Sequence, residues 1–577
     1  MKKILFLAFV AFPFVCSKAQ QIDYLKDVGS LFDNQNYDVD ISGSEMNIDN
    51  EGNIYIIGRY YDQPILNPNL HPVLQPQTPA NNYFLCKINI SGDLLWHKNF
   101  FSADLYGQSQ NGISFNYIHD RFKIHFYKDD IYLTGSYKNK FWVDTFESEL
   151  NTHFANNGFI LKMNKNGNID FLVTAQDYSA NSSEYGTFDL AFGQNGNMYA
   201  AFKMEDTLKI NDHFIYGTQH INNKPLECAI VKMDMETGKV VEHTVLASSS
   251  GNGIIEANKL LLNKQNQLVA VGRTTRGLVV DGKAMSAPSA GSNMYIAFFD
   301  ENLKLITQNI KYGNVRESDI LYLNNFASIN DHTLAFSGFF RGSNFSLLGS
   351  EIPGTLNTFN MFFGILDLDA FSCSLFPYGN INNAYISNIE LSSDDQKLYL
   401  FSSFGAGQAQ LLDSLIAIPT SEDGKLILTA LDLSSFEYNF THMPAISGNY
   451  KTIGIASYEQ NLYLAANYYK NYSIDTRTVN SSSNDIWFLK LSPISTFNID
   501  TKHTSFNIYP NPTNGSITIE DVDFDRLEVR DSYGKIVVTT SSQNADQALL
   551  HLGAQTYFLS FYKADKLLSS HKVIVSN

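Results

Sequence analysis

Asn50-Glu51-Gly52-Asn53-Ile54-Tyr55-Ile56-Ile57-Gly58 is the stretch whose reading decides the fold. A polar turn with a glycine leads into an apolar run of Ile and Tyr, residue types that fit a pleated, half-buried surface. Later copies centre on Tyr132, Tyr199, Val269, Ala335, Tyr399 and Tyr463, at successive separations of 77, 67, 70, 66, 64 and 64 residues. An interval this steady marks one supersecondary unit used seven times.

Each copy has a second half. In the first unit it reads Phe84-Leu85-Cys86-Lys87-Ile88-Asn89, then a turn with Gly92, then Leu94-Leu95-Trp96. Its counterparts run Phe159 to Phe171, Ala229 to Val240, Tyr295 to Ile306, Phe362 to Leu375, Ile427 to Phe436 and Trp487 to Phe497. A strand before the turn, a strand after it and a later hairpin make four antiparallel strands per unit. One such sheet cannot bury both faces alone, whereas seven around an axis can pack on each other. The expected architecture is all-β, a seven-bladed β-propeller over residues 20–497. A β-solenoid is the rival, but its repeats are usually much shorter. The seventh unit lacks a clear outer strand after Trp487 to Leu491, and Ile22 to Val28 has no partner of its own. That segment is expected to complete the last sheet.

The pattern Asp-x-x-Gly-Asn-Ile-Tyr-x-x-Gly, followed by Phe-x-x-Lys-x-Asn-x-x-Gly-x-x-x-Trp, resembles bacterial β-propeller repeats of the SBBP type. The first two copies match well and the third partly. From Tyr295 onward the Lys and Gly positions degrade while the hydrophobic spacing persists. The resemblance implies architecture, not chemistry.

The 577 residues are 44% hydrophobic and 13% aromatic, with only 17% charged. That is ample for packed cores. The formal net charge of −17 disfavours nucleic acid and anionic membrane surfaces as partners. Lys2 and Lys3, the apolar run Ile4 to Val15 and the small residues of Ser17-Lys18-Ala19 read as a signal peptide over residues 1–19. No later segment is apolar enough for a transmembrane helix. Cys86, Cys228 and Cys373 match no zinc or CxxC spacing. Buried free thiols, or one disulfide and one thiol, are the two readings.

After a polar linker at 498–505, residues 506–577 open with Phe506-Asn507-Ile508-Tyr509-Pro510-Asn511-Pro512, then Gly515 and the alternating run Ser516 to Glu520. Leu527 to Asp531, the Tyr533-Gly534-Lys535 turn, Ile536 to Val538, Tyr557 to Tyr562 and Lys572 to Val575 follow. The sum reads as a small C-terminal β-sandwich. It resembles the type A C-terminal sorting domain of the type IX (Por) secretion system. Tyr509, Pro510, Asn511, Pro512, Gly515, Gly534 and Lys535 carry the likeness. The family usually shows Gly-x-Tyr before its penultimate strand, where this chain has the longer Gly553 to Tyr557. The resemblance implies that the secretion machinery is a partner, that the tail is removed after translocation, and that the protein is released or attached to surface lipopolysaccharide.

No catalytic motif stands out: there is no Gly-x-Ser-x-Gly, no His-Glu-x-x-His, no phosphate-binding loop and no EF-hand spacing. No cofactor and no metal site are expected. His119 and His125 are six apart on an expected strand, too far to share an ion. Propellers bind ligands around the central channel, so the leading ends of the innermost strands are the place to look. They carry Asp38, Asp40, His119, Asp120, Glu184, Glu256, Arg316, Glu317, Asp319 and Lys451. Trp96 and Trp487 occupy repeat positions and read as core; Trp142, in a loop-like insert, is a candidate for stacking on a sugar. The expected function is a secreted or surface-displayed, non-enzymatic binding module for a glycan or protein ligand. The alternatives are a propeller-type glycoside hydrolase or polysaccharide lyase using channel-mouth carboxylates, and a structural adhesin component.

Overall fold

A computed structural model describes residues 21–28, 40–61, 80–103, 122–138, 140–149, 156–178, 186–217, 226–249, 253–287, 291–306, 311–316, 320–330, 332–356, 358–381, 388–394, 396–404, 407–411, 414–418, 425–434, 438–442, 451–459, 461–469, 472–474, 477–479, 484–492, 507–509, 518–520, 524–530, 536–542, 545, 552, 556–563 and 566–575. The signal-peptide reading of residues 1–19 lies outside them. The chain divides into two compact units, Ile22–Pro493 and a second containing Ile494–Asn577. Every regular element described in either is a β-strand.

The large unit holds seven antiparallel sheets of four strands each, several with an added hairpin. The leading strands, in chain order, are Asp40–Ile48, Lys123–Tyr127, Thr187–Phe192, Ile255–Leu262, Ile320–Asn330, Asn388–Ser393 and Lys451–Tyr458. Each leading strand packs against those of the sheets before and after it, and the seventh packs against the first. The strand Gln21–Asp27 pairs with Asn484–Ser492 as the outer strand of the seventh sheet, the place expected for it. Tyr24 stacks edge-on against Phe488 there, Lys490 pairs with Asp23 at 3.3 Å, and Val28 N donates to Ile486 O.

The repeat motif acts locally. Asp49 Oδ1 accepts from the amides of Glu51 and Asn53, closing the turn, while Asp49 Oδ2 accepts from the Tyr55 hydroxyl at 3.0 Å. Lys87, from the second half, lies 3.5 Å from the same carboxylate and over the Tyr55 ring. The second sheet repeats the device with Lys162, Asp130 and Tyr132, and Tyr399 donates to Asp394 in the sixth. Gly52 sits at φ +82°, a backbone that costs other residues about 1–3 kcal/mol, and a Cβ there would meet the Tyr458 ring at 2.6 Å. The motif residues are thus committed to the turn and the tyrosine beside it.

Alternation then buries both faces. Ile54 and Ile56 join a layer shared with Ile453, Tyr463, Ile486 and Phe488 of the seventh sheet. Tyr55 and Ile57, one residue out of phase, join a layer shared with Ile124, Leu133 and Phe159 of the second. Shared layers follow between each later pair up to the fifth and sixth sheets, and the Phe401–Trp487 contact joins sixth to seventh. Each fully buried Ile or Leu contributes roughly 1.5–3 kcal/mol.

An addition to the expected four-strand unit is a hairpin inserted between its second and third strands, which reaches back to the outer strand of the preceding sheet. Lys140–Val143 and Phe146–Glu147 extend the first sheet, and Thr207–Ile210 and His213–Tyr216 the second. Leu278–Val280 with Lys283–Met285, and Asn344–Leu347 with Ser350–Pro353, do the same for the third and fourth. Positive φ at Asp281-Gly282 and Leu348-Gly349 gives these last two the turn twist that suits tight hairpins. Trp142 consequently lies in a strand, not a loop, with its ring stacked on Phe101. Trp487 is fully buried, as expected. Cys86, Cys228 and Cys373 are unpaired thiols, the first two buried.

In the C-terminal unit, Asn507–Tyr509 pairs with Thr518–Glu520. A four-stranded sheet runs in the order Ile536–Ser541, Arg526–Arg530, Thr556–Lys563, Lys566–Ile574, over a core of Phe524, Leu527, Val529, Tyr557, Leu559 and Phe561. Tyr509 lies in the first of these strands; Pro510, Asn511, Pro512, Gly515, Gly534 and Lys535 fall outside the described residues.

Candidate functional site

The leading strands are not regular. Register shifts fall between Gly43 and Glu45, Thr187 and Asp189, Glu256 and Lys259, Leu323 and Phe326, and Thr452 and Gly454. A bulge leaves backbone unpaired and re-aims the side chain beside it. At or next to these shifts stand Glu45, Asp189, Lys259 and Asn325, joined by Lys123 and Glu390 from the two leading strands without a recorded shift. In the seventh strand the corresponding residue is Gly454, where a Cβ would meet Met46 Cβ at 2.5 Å.

These side chains bind each other and the neighbouring backbones. Asp189 Oδ1 lies 3.2 Å from Lys123 Nζ, and Oδ2 lies 3.1 Å from Lys259 Nζ while accepting from Leu260 N at 2.8 Å. Lys123 Nζ also donates to Asn258 O at 3.0 Å. Glu45 Oε1 accepts from Ile124 N, and Asn47 Nδ2 donates to Ile124 O, so the first strand takes both polar groups of one residue in the second. Asn467 holds Gly43 in the same two-ended way. Asn325 Nδ2 donates to Ile389 O and to Glu390 Oε2. Polar side chains therefore link consecutive leading strands where the ladder is interrupted.

The electrostatics sort these groups. Asp189 is fully buried, yet its two lysines and the Leu260 amide hold its pKa far below the ordinary carboxylate range against that burial. Burial lowers His125 to about 3, assisted by Lys259 and Lys123 and opposed by Asp189, which is 3.9 Å away. Burial raises Glu45 to about 8; Glu390 and Asp189 add to the rise, and the Ile124 amide and Lys123 oppose it. At neutral pH the cluster thus holds one committed carboxylate between two ammonium groups, a neutral imidazole and a protonated Glu45. A protonated acid can donate a hydrogen bond or a proton. Among the described residues no group of three or more His, Cys, Asp or Glu is placed to hold a metal ion.

Of the residues named from the sequence, Glu256 is buried, with Oε1 3.2 Å from Arg273 and 3.6 Å from Lys203; Arg273 also lies over the Tyr322 ring. Lys451 is exposed at the start of its strand. Asp40 and Arg316 lie at strand ends, with only their backbone described. Asp38, His119, Asp120, Glu184, Glu317 and Asp319 fall outside the described residues. The central cluster escaped the sequence reading because its members sit inside apolar strands, not at their ends. One signal was available: Glu45, Asp189, Lys259 and Glu390 each stand four residues before the turn residue Asp49, Gly193, Asn263 or Asp394.

Residues 507–576 match the secretion system C-terminal sorting domain family. The tail of this chain is therefore a sorting domain of the type IX pathway, which carries its protein to the cell surface or the extracellular space. No curated protein matches the chain. Among solved structures, an ACO/RPE65 chimera is 8% identical with a TM-score of 0.34, covering 82% of this chain and 93% of its own. The NanB sialidase from Streptococcus pneumoniae is 9% identical with a TM-score of 0.26, over 82% and 98%. A phage phi92 endosialidase is 9% identical with a TM-score of 0.25, over 79% and 86%. Likeness at this level carries no argument about activity.

Proposed function

We propose that residues 20–497 form a seven-bladed β-propeller that serves outside the cell as a non-enzymatic binding module for a glycan or protein ligand. Residues 1–19 act as its signal peptide, 498–505 as a linker, and 506–577 as a sorting domain that is removed, leaving the ring released or attached to the surface. The cyclic packing of the leading strands and the N-terminal strand in the seventh sheet support the ring. One observation carries the binding reading: Asp189 is wholly engaged by Lys123, Lys259 and the Leu260 amide. A carboxylate so committed ties strands together and is a poor base, which leaves ligand contacts to the rims.

A second reading has its own support. Glu45 is held protonated beside carboxylates, and a pair of acids with separated pKa values is what glycoside hydrolysis uses. A glycan array and a polysaccharide-cleavage screen on the exported protein separate the two. Binding without cleavage supports the module. Cleavage that Glu45→Gln abolishes, with folding intact, would replace it with the hydrolase.

A further inference from the structure

The third unit contains two histidines that none of the foregoing uses. His213 opens the strand His213–Tyr216 of the hairpin that docks on the second sheet, and His243 lies on the outer strand Val240–Ser248 of the third. Both side chains are exposed. His213 Nε2 and His243 Nδ1 are 3.3 Å apart, with ring centres at 5.2 Å and ring planes at 69°.

Two imidazoles on one tetrahedral ion, with Zn–N of about 2.0–2.1 Å, place their nitrogens about 3.3 Å and their ring centres about 5.2 Å apart. A linear N–H···N contact of the same length places the centres about 5.6 Å apart instead. The observed pair satisfies both distances of the ion-bound arrangement. We propose that His213 and His243 form a two-nitrogen clip for a borderline divalent cation of the zinc class, with water completing the shell. Imidazole nitrogen suits such ions, and the chain's acidic charge favours their approach. The clip fastens the hairpin of the third unit, which sits on the second sheet, to that unit's own outer strand.

The test is a calorimetric zinc titration of the untagged exported protein and of the His213→Ala and His243→Ala variants. It is paired with amide exchange over the hairpin Thr207–Tyr216. The proposal expects each variant to lose one zinc equivalent, or to bind it more weakly by on the order of tenfold or more. It also expects zinc to slow exchange in the hairpin of the parent protein only. Because both rings are exposed, the variants should melt as the parent does without zinc. An unchanged number and affinity of zinc sites in both variants, or no zinc bound by the parent, would overturn it.

Discussion

Asp189 is a fully buried carboxylate between two ammonium groups that are themselves only partly exposed. Replacing it by Ala leaves Lys123 and Lys259 facing each other without a counter-charge. Breaking a buried pair typically costs 3–5 kcal/mol, and the lysines' residual access to solvent reduces this to about 3. Denaturant unfolding of Asp189→Ala should show that loss, and a change under about 1 kcal/mol would refute the locking role. Glu45 predicts a pH dependence of opposite sense to that of an ordinary ion-paired acid. Its folded-state pKa of about 8 lies above the unfolded value, so its contribution is fully present at low pH and is lost as pH rises through that range. Glu45→Gln keeps an acceptor for Ile124 N and cannot ionise. The variant should therefore gain in melting temperature relative to the parent between about pH 5 and about pH 9. His125, lowered to about 3, acts in the other direction: its contribution is present above the unfolded value and lost as pH falls towards 3. Parallel curves for Glu45→Gln and the parent would show that Glu45 is not protonated in the fold.

At the scale of elements, what the sequence discloses depends on periodicity. The turn-and-strand stretches from Tyr55 to Tyr463 are legible because each strand is buried on both faces and bounded by Asx-type turns, so composition and spacing agree. The strand Ile22 to Val28 was legible by subtraction: one sheet lacked an edge and one segment lacked a partner. The returning hairpins were not legible, since pairing with the preceding sheet is non-local and leaves no period of its own. Trp142 was misplaced for that reason. The bulges beside Glu45 and Asp189 were hidden similarly, because a one-residue shift leaves the hydrophobic count almost unchanged. The N-terminal strand supplies the prediction at this scale. Deleting residues 20–30 removes the buried Val28, the Tyr24–Phe488 contact, the Asp23–Lys490 pair and the hydrogen bond from Lys26 Nζ to Gly92 O in the first sheet. The melting temperature should fall sharply, by the equivalent of about 3 kcal/mol or more. An unchanged melting temperature would mean that Gln21–Asp27 contributes nothing to holding the seventh sheet.

Over the whole molecule, address and cargo are separable. The sorting domain at 507–576 has its own buried core, and the Ile22–Pro493 unit builds its layers from its own seven sheets and N-terminal strand. No hydrophobic cluster described in either unit draws on the other. A chain ending after Phe497 should therefore keep the cooperative melting of the large unit, because none of its shared layers is cut. It should nevertheless fail to reach the cell surface or the medium, because the sorting domain is missing. The two readouts are independent: melting of the purified fragment, and fractionation of cells producing full-length and truncated protein. Normal appearance of the truncated chain outside the cell would remove the export assignment. Loss of cooperative melting would show that the tail completes the fold of its cargo, so that removing it after export would unmake the ring.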